Sequence, residues 1–196
     1  EAAGKWMFGS KPFQVVHNAI DIDKYKYSPA IAQKVRKQFN IENKIVIGHV
    51  GRFAPQKKHE FLIDIFAECI KKNSDVILML VGEGDEKKKI EDKVNQLGIS
   101  EQVIFTGVRV DVNELMQAMD VLAFPSLYEG LPVTMIEAQS AGLPCVISDH
   151  ISEECIVTSN LVSVMKLSDS AEGWAECVLQ KVKDGHRNTS EEIEKV

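Results

Sequence analysis

The sequence has few cysteines, and no cysteine or histidine stands at a spacing typical of metal ligands. Its four cysteines, Cys69, Cys145, Cys155 and Cys177, include no pair separated by two residues, and the five histidines show no metal-ligand spacing. Zinc sites and redox-active pairs depend on such short spacings. We therefore predict reduced, buried thiols, no bound metal and no cofactor.

Long apolar runs and a surplus of positive charge are also missing. No segment approaches the roughly 20 consecutive apolar residues that a bilayer-spanning helix needs. The 23 lysines and arginines are outnumbered by 29 aspartates and glutamates, which gives a net charge of −6. Nucleic-acid binding generally requires a clustered basic face. We therefore expect no nucleic-acid partner, and we expect the protein to be cytoplasmic.

The composition is that of one globular domain whose two ends look cut. The chain has 196 residues, of which 44% are hydrophobic and 27% charged, enough to bury a sizeable core. Glycine, serine and proline cluster in residues 1–13, which we predict to be a linker from a missing N-terminal domain. Residues 14–196 are predicted to form the domain itself. A capping box at 189–192 leaves its helix only about one turn, so we expect a truncated C-terminus.

Apolar runs rich in β-branched residues alternate with amphipathic segments along the chain. The predicted strands are 14–17, 45–50, 76–81, 103–106, 121–124, 145–148 and 161–165. The predicted helices are 30–39, 57–72, 85–97, 111–118, 132–141 and 169–182. Continuous apolar strands are typical of a sheet buried on both faces, and strands that alternate with helices imply right-handed crossovers. The prediction is an α/β, Rossmann-like three-layer domain with a parallel sheet.

Glycine and polar residues follow five of the predicted strands. These loops are Gly51-Arg52, Gly82-Glu83-Gly84, Gly107-Val108-Arg109, Pro125 to Glu129 and Ser148-Asp149. The carboxyl ends of parallel strands meet at one edge of the sheet, where open α/β sheets bind ligands. Strand-to-helix turns also favour such residues for local reasons, but five loops together favour a small-molecule crevice.

The segment from Tyr128 to Ala138 combines a helix start with two carboxylates. Pro132 suits the first helical position, which would leave the amides of residues 133–135 free to bind an anion such as phosphate. Glu129 precedes this helix and Glu137 lies within it. Because a carboxylate can accept hydrogen bonds from two neighbouring hydroxyls, a diphosphate between a sugar and a ribose would satisfy both acids. The pattern predicts a nucleotide sugar.

The loop from Gly51 to Lys58 supplies three cations, Arg52, Lys57 and Lys58, that would balance the charge of such a ligand. Arg52 can bind a phosphate bidentately, and a lysine supplies a mobile point charge. Charge that develops on a departing diphosphate can be stabilised in this way by roughly 3–4 kcal/mol per group. Lys58 is predicted to be a solvated lysine at a helix start. Arg109 either shelters a base or is an ordinary surface residue, and the sequence leaves both open.

Other conspicuous residues have local explanations. Gly82-Glu83-Gly84 lacks the third glycine of a dinucleotide-binding fingerprint. Asp111 is predicted to cap a helix, with Glu114 completing a capping box. His49 is predicted to be a packed core residue, and His59 to lie on a helix face.

These motifs resemble the C-terminal half of retaining glycosyltransferases of the GT-B fold, the large group often called family 4, of the type that builds capsular polysaccharides and exopolysaccharides. The resemblance covers nearly the whole chain, from Val16 to Asp21, through Gly51-Arg52-Phe53 and Lys57, to the segment that begins at Pro125 and ends at Glu137. Two glutamates separated by seven residues, after Pro-Ser and with Gly-Leu-Pro between them, form its most specific part.

The resemblance implies a role for each matching residue. Arg52 and Lys57 would contact the donor diphosphate, Glu129 would orient the donor sugar, and these three would assist catalysis. The other residues implied to bind the nucleotide sugar are Gly51, Val108, Arg109, Gly130, Leu131, Val133, Thr134 and Glu137, with Glu137 on the ribose and Val108 and Arg109 near the base. The family needs no metal here. Lys58 and His59 depart from its usual glycines.

The resulting hypothesis is the donor-binding domain of an enzyme that transfers a sugar to a glycan or lipid-linked acceptor. The acceptor would be bound by the missing N-terminal half, which would also make any contact with the inner face of the membrane. The isolated chain is expected to bind donor and to transfer little or nothing. A GT-B-fold nucleotide-sugar epimerase and a non-catalytic nucleotide-binding module are the two alternatives.

Overall fold

Six parallel strands form the centre of the fold. The computed structural model describes residues 2–12, 14, 20–185 and 187. The strands are β1 (Ile45–Val50), β2 (Val76–Val81), β3 (Val103–Gly107), β4 (Val121–Phe124), β5 (Cys145–Ser148) and β6 (Val162–Met165). They lie side by side in the order β3-β2-β1-β4-β5-β6, and each neighbouring pair is parallel. The predicted Rossmann-like α/β class is therefore confirmed.

Helices cover both faces of this sheet. The helices of the described residues are α1 (Ala2–Phe8), α2 (Ile22–Tyr25), α3 (Pro29–Gln38), α4 (His59–Lys72), α5 (Lys87–Gln96), α6 (Val112–Ala118), α7 (Val133–Ser140) and α8 (Ala171–Asp184). Helices α2 to α8 contribute side chains to the apolar clusters on the sheet. Short 3-10 turns occupy Pro55–Lys57, Ser100–Gln102, Glu153–Cys155 and Ser159–Leu161. No helix in these described ranges is long and apolar enough to cross a membrane.

The central strands β1, β2, β4 and β5 are buried almost throughout, because helices cover both faces of the sheet there. All six residues of β2 are buried, and successive side chains point to opposite faces. Met79 packs in the cluster that includes residues of α3, α6 and α7, whereas Leu78 and Leu80 pack in the cluster that includes residues of α4, α5 and α8. The second cluster contains Trp174, which is fully buried and whose indole donates to the Lys166 carbonyl at 2.9 Å.

The predicted elements agree closely with these bounds, with a few local differences. Four strands have the predicted limits, β3 extends one residue further, and β6 begins one residue later. The helix predicted at 57–72 begins at His59, because Lys58 has a left-handed backbone (φ +50°) that interrupts it. The helix predicted at 85–97 begins two residues later, at Lys87.

Some predictions concern the two ends of the chain. The predicted strand 14–17 lies outside the described residues except for Gln14, which is not in a strand. The capping box at 189–192 also lies outside them. The predicted linker 1–13 contains the seven-residue helix α1, and its connection to another domain stays a prediction.

The cysteines agree with the prediction in most respects. All four are free; Cys69, Cys145 and Cys155 are buried, whereas Cys177 is only partly so. Burial raises the pKa of the Cys69 thiol to about 12, so this group stays protonated.

The order of strands locates the crevice. From β1 the chain proceeds outward through β2 and β3, and it then returns to the other side of β1 to add β4, β5 and β6. The strand order therefore reverses between β1 and β4. Ligands of open α/β sheets bind outside the carboxyl ends of the strands at such a switch point. The loops that flank it here are residues 51–58, after β1, and residues 125–132, after β4.

Candidate functional site

Backbone hydrogen bonds connect the loops that follow β1, β2 and β4 at the carboxyl edge of the sheet. The Gly51 amide donates to the Val81 carbonyl at 2.9 Å, and the Phe53 amide donates to the Glu83 carbonyl at 3.0 Å. On the other side, the Leu127 amide donates to the Gln56 carbonyl at 2.7 Å. The loop after β1 is therefore fixed to the loops after both β2 and β4.

Two glycines make this close contact possible. Gly82 has φ +141°, and a Cβ added there would lie 2.1 Å from the Gly51 carbonyl oxygen. A Cβ at Gly84, where φ is +158°, would lie 2.4 Å from the Phe53 carbonyl oxygen. The glycines of the Gly-Glu-Gly segment thus allow the backbone after β2 to contact the backbone after β1. This role is structural and differs from that of glycines in a dinucleotide fingerprint.

A buried ion pair joins the two loops of the switch point. Lys57 Nζ lies 2.7 Å from Glu129 Oε1, and the side chains are only 12% and 9% exposed. The ammonium also lies over the Phe124 ring, 4.5 Å from its centroid. The close approach lacks hydrogen-bond geometry, so Glu129 Oε1 is buried without a hydrogen-bond donor in the described part of the chain. A carboxylate in this state can still accept a hydrogen bond from a hydroxyl group.

The helix start after β4 differs by one position from the prediction. Pro132 is the N-cap and not the first helical residue, because α7 begins at Val133. The Met135 amide, predicted to be free, donates to the Pro132 carbonyl at 2.9 Å. Proline offers no side-chain acceptor at the cap, so the first two amides, of Val133 and Thr134, point out of the helix end. An anion at this helix end would therefore meet two free amides and not the three that were predicted.

Glu137 lies one turn into α7, and it has a partner that the sequence does not indicate. The Tyr25 hydroxyl donates to Glu137 Oε1 at 2.5 Å. Burial, followed by the hydrogen bond and the charge of Glu137, raises the pKa of Tyr25, which keeps the phenol protonated. The two residues are 112 positions apart, so no local pattern could have revealed the contact.

Arg52 lies at the outer rim of the site. Its side chain is 71% exposed, and its nearest acidic partner is Asp85 at 3.5 Å. An exposed pair at this distance contributes little energy, so the guanidinium is available to a ligand. Gly130, Leu131 and Val133 are also exposed. Lys58 is partly exposed and lies over the Phe61 ring at 5.0 Å, in agreement with its predicted place at a helix start.

The loop after β3 shows why one capping prediction was wrong. Arg109 donates to both carboxylate oxygens of Asp111, with Nε–Oδ1 at 2.8 Å and Nη2–Oδ2 at 2.6 Å. Asp111 is the N-cap of α6, but its side chain makes no capping hydrogen bond, and Glu114 instead pairs with Lys34 at 3.0 Å. The hydrogen bonds from Arg109 also lower the pKa of Asp111. Val108 beside it is 75% exposed.

Two buried histidines lie beneath Lys57. His49 and His59 are fully buried, with ring centroids 4.7 Å apart, so His49 is a core residue as predicted. His59 starts α4 and so lies on a helix face as predicted, and this face points inward, where the ring stacks on Phe53 with centroids 4.2 Å apart. Both ring nitrogens of His59 and Nε2 of His49 lack hydrogen-bond partners in the described residues.

These histidines should make the fold sensitive to acid. Burial, followed by the charges of His59 and Lys57, lowers the pKa of His49 well below its usual value, while burial and Lys57 lower that of His59 to about 4. The folded state thus holds fewer protons than the unfolded chain below pH 6.5. Above pH 6.5 both histidines are neutral in the folded and the unfolded state, and the unfolding free energy does not depend on them. As the pH drops from 6.5 toward 4, the unfolding free energy should fall by up to about 1.4 kcal/mol per pH unit for each histidine.

Urea unfolding at a series of pH values measures this slope. His59→Phe keeps the ring stack and removes the titrating group, so it should flatten the curve between pH 6.5 and 4. Equal slopes in wild type and His59→Phe would show that His59 is not held neutral.

The site has no arrangement suited to a metal. In the described residues no three side chains of histidine, cysteine, aspartate or glutamate come together as potential ligands. The acids at the switch point face a lysine and a tyrosine instead.

Comparison with known proteins identifies the family. Residues 31–195 match the family described as glycosyl transferases group 1, and the chain belongs to it. It is 34% identical over 191 residues to the putative glycosyltransferase EpsF of Bacillus subtilis, a match that covers 94% of this chain and 50% of EpsF. It is 30% identical over 149 residues to an Escherichia coli UDP-Gal:α-D-GlcNAc-diphosphoundecaprenol α-1,3-galactosyltransferase, covering 73% of this chain and 38% of that protein. The chain therefore spans half or less of these relatives.

Solved structures give the same result for the fold. The chain resembles Anabaena HepE in complex with UDP-glucose with a TM-score of 0.79 and 28% identity, over 89% of this chain and 49% of HepE. It resembles WaaG, a glycosyltransferase of lipopolysaccharide biosynthesis, with a TM-score of 0.79 and 26% identity, over 98% of this chain and 54% of that one. The chain thus has the Rossmann-like fold found in GT-B glycosyltransferase structures, and it spans about half the length of each of these two.

Proposed function

We propose that this chain is the donor-binding domain of a retaining glycosyltransferase of family 4, and that it holds a nucleotide-diphosphate sugar at the switch point between β1 and β4. The observation that carries the proposal is the buried Lys57–Glu129 pair. It places a cation and an acid together beside the start of α7, as a ligand with a diphosphate and a sugar requires.

The diphosphate would lie between the helix end and the cations. The first amides of α7 favour an anion through their direction and the helix dipole. Lys57 would leave Glu129 for the phosphate oxygens, and the exposed Arg52 would close over them from the rim. As the bond to the sugar breaks, negative charge grows on the diphosphate, and both cations would stabilise it.

The two acids would bind the hydroxyl groups on either side. Once Lys57 moves to the phosphate, Glu129 would accept from hydroxyls of the donor sugar, supported by the segment from Gly130 to Thr134. Glu137, one turn into α7, would accept from the ribose. Val108 would line the base together with the guanidinium of Arg109, which Asp111 fixes through two hydrogen bonds. No metal or cofactor takes part in this arrangement.

The relatives indicate the class of donor and product. HepE has been crystallised with UDP and UDP-glucose, and the Escherichia coli relative is named as a UDP-galactose-dependent transferase acting on a diphosphoundecaprenol-linked sugar. A third relative is a Vi polysaccharide biosynthesis protein of Salmonella typhi. We propose hexosyl transfer from a UDP-sugar to a glycan or lipid-linked acceptor in capsular polysaccharide or exopolysaccharide biosynthesis, with the acceptor bound by a further N-terminal domain.

Thermal protection by nucleotides tests donor binding. UDP, or a related nucleoside diphosphate, should raise the melting temperature of the 196-residue chain, because a ligand that binds only the folded state stabilises it. Glu137→Ala should reduce this shift. Glu114→Ala, which removes an acid of α6 paired with Lys34, is the matched control and should leave the shift unchanged. Equal shifts for wild type and Glu137→Ala would remove Glu137 from the site.

Two alternatives give different results with the full-length protein. An epimerase would release an epimerised nucleotide sugar, or its free sugar, with no acceptor present. A non-catalytic module would bind the nucleotide and show no transfer under any condition. A transferase consumes the nucleotide sugar in an acceptor-dependent manner. The intact set of Arg52, Lys57, Glu129 and Glu137 argues against the non-catalytic module.

A further inference from the structure

The hydrogen bond between Tyr25 and Glu137 connects the donor site to a segment far away in sequence. Tyr25 ends the short helix α2, which packs against α6 and α7. Its ring contacts the apolar cluster on that side of the sheet, and only its hydroxyl reaches the carboxylate. Because the raised pKa keeps this phenol protonated, it acts toward Glu137 as a hydrogen-bond donor.

Helix α6 anchors the segment that carries Tyr25 at one residue before it and at one residue after it. The Asn113 side-chain amide donates to the Lys24 carbonyl at 3.1 Å. The Ser28 amide donates to Oε1 of Gln117, a side chain that is itself buried in α6. A phenol has two side-chain torsions and a glutamate has three, so the fixed tyrosine restrains the glutamate more than the reverse.

We propose that Tyr25 is a positioning residue that holds the Glu137 carboxylate for the ribose and thereby makes the site select ribonucleotides over deoxyribonucleotides. The inference rests on the proposed donor site. With Oε1 occupied by the phenol, the carboxylate presents Oε2 and the remaining lone pair of Oε1 in one orientation. A carboxylate that is already oriented loses less conformational entropy when a ribose hydroxyl binds to it. A ligand that lacks the hydroxyl gains no affinity from this orientation.

Tyr25→Phe isolates this role, because it removes the hydroxyl and keeps the ring in the apolar cluster. The probe is whichever of UDP, ADP, GDP and CDP the wild-type chain binds most tightly, together with its 2′-deoxy and 3′-deoxy analogues. Calorimetric titration of the 196-residue chain should show the ribonucleotide bound about tenfold or more tightly than at least one analogue. In Tyr25→Phe the ribonucleotide should bind about tenfold more weakly while that analogue binds as before.

Two further variants make the experiment decisive. Tyr27→Phe removes the hydroxyl of a neighbouring tyrosine whose ring lies under Arg187, and it should keep the wild-type preference. The single variant Glu137→Gln should already lose the preference for the ribonucleotide. Adding Tyr25→Phe to Glu137→Gln should then change ribonucleotide affinity by less than twofold, because the effects of coupled residues are not additive. If Tyr25→Phe does not fold, as judged by its melting curve, Glu137→Gln still reports whether the carboxylate reads the ribose.

The possible failures are distinguishable. Equal weakening of ribonucleotide and deoxy analogues in Tyr25→Phe would show a merely structural role and overturn the inference. A wild-type chain that binds the ribonucleotide and its analogues equally would also overturn it, while the donor site would stand. If the wild-type chain binds none of the four nucleoside diphosphates, the proposed function itself fails.

Discussion

Replacing Lys57 by methionine in the full-length protein is expected to lower the rate of sugar transfer by about 10²- to 10³-fold, and to weaken donor binding much less. Methionine keeps an apolar stem over Phe124 and removes only the ammonium. The charge on the diphosphate grows as the sugar departs, so the lost interaction is stronger in the transition state than in the bound donor. Removing one such electrostatic group typically costs roughly 3–4 kcal/mol. Steady-state rates and a calorimetric donor Kd measure the two effects separately.

The adjacent lysine supplies the control. Lys58→Met makes the same chemical change one residue away, where the ammonium lies over Phe61 and not at Glu129. It should alter transfer by about twofold or less. Because Lys57→Met leaves Glu129 buried without its cation, the melting temperature of the variant should be measured as well, and slow transfer by a variant that is still folded assigns the loss to the missing ammonium. Wild-type turnover in Lys57→Met would contradict a role for Lys57 in leaving-group stabilisation.

Gly82→Ala is expected to destabilise the domain by about 3 kcal/mol or more. The new methyl group would lie 2.1 Å from the Gly51 carbonyl oxygen, and the backbone at φ +141° is one that alanine rarely adopts. Strained backbone conformations and overpacking each cost roughly 1–3 kcal/mol. Relief of the clash would also move the loop that carries Arg52 and Lys57. Urea unfolding measures the loss, and nucleotide titration should show weaker binding.

Gly98→Ala separates the clash from the backbone strain. Gly98 also has a positive φ, +68°, but a Cβ there would meet nothing within 4 Å. Its replacement should therefore cost only the conformational penalty, about 1 kcal/mol. If the two variants lose the same stability, the close approach of the loops after β1 and β2 does not constrain the site.

The fold was largely predictable because its signals are local. β1, β2, β4 and β5 have the predicted limits, since a strand buried on both faces leaves an uninterrupted apolar run. Parallel pairing then placed the five glycine-rich and polar loops at one edge without further information. The start of α4 was not predictable in this way, because nothing in the sequence indicates that Lys58 adopts a left-handed conformation.

The partners of the site residues needed the three-dimensional structure. The sequence placed Lys57 and Glu129 at the same edge, but their direct contact depends on β1 and β4 being neighbours at the switch point. Tyr25 and Glu137 meet through the packing of α2 on α7, which no periodicity encodes. Asp111 has a capping position by sequence, and a stronger bidentate partner, Arg109, takes its carboxylate instead.

Amide chemical shifts of the ¹⁵N-labelled chain, measured during titration with UDP-glucose, test the donor site most directly. The proposed site predicts saturable shifts concentrated at the amides of Gly51, Arg52, Gly130, Val133 and Thr134, around the carboxyl ends of β1 and β4. No shifts at these amides, or shifts confined to the opposite edge of the sheet, would contradict it.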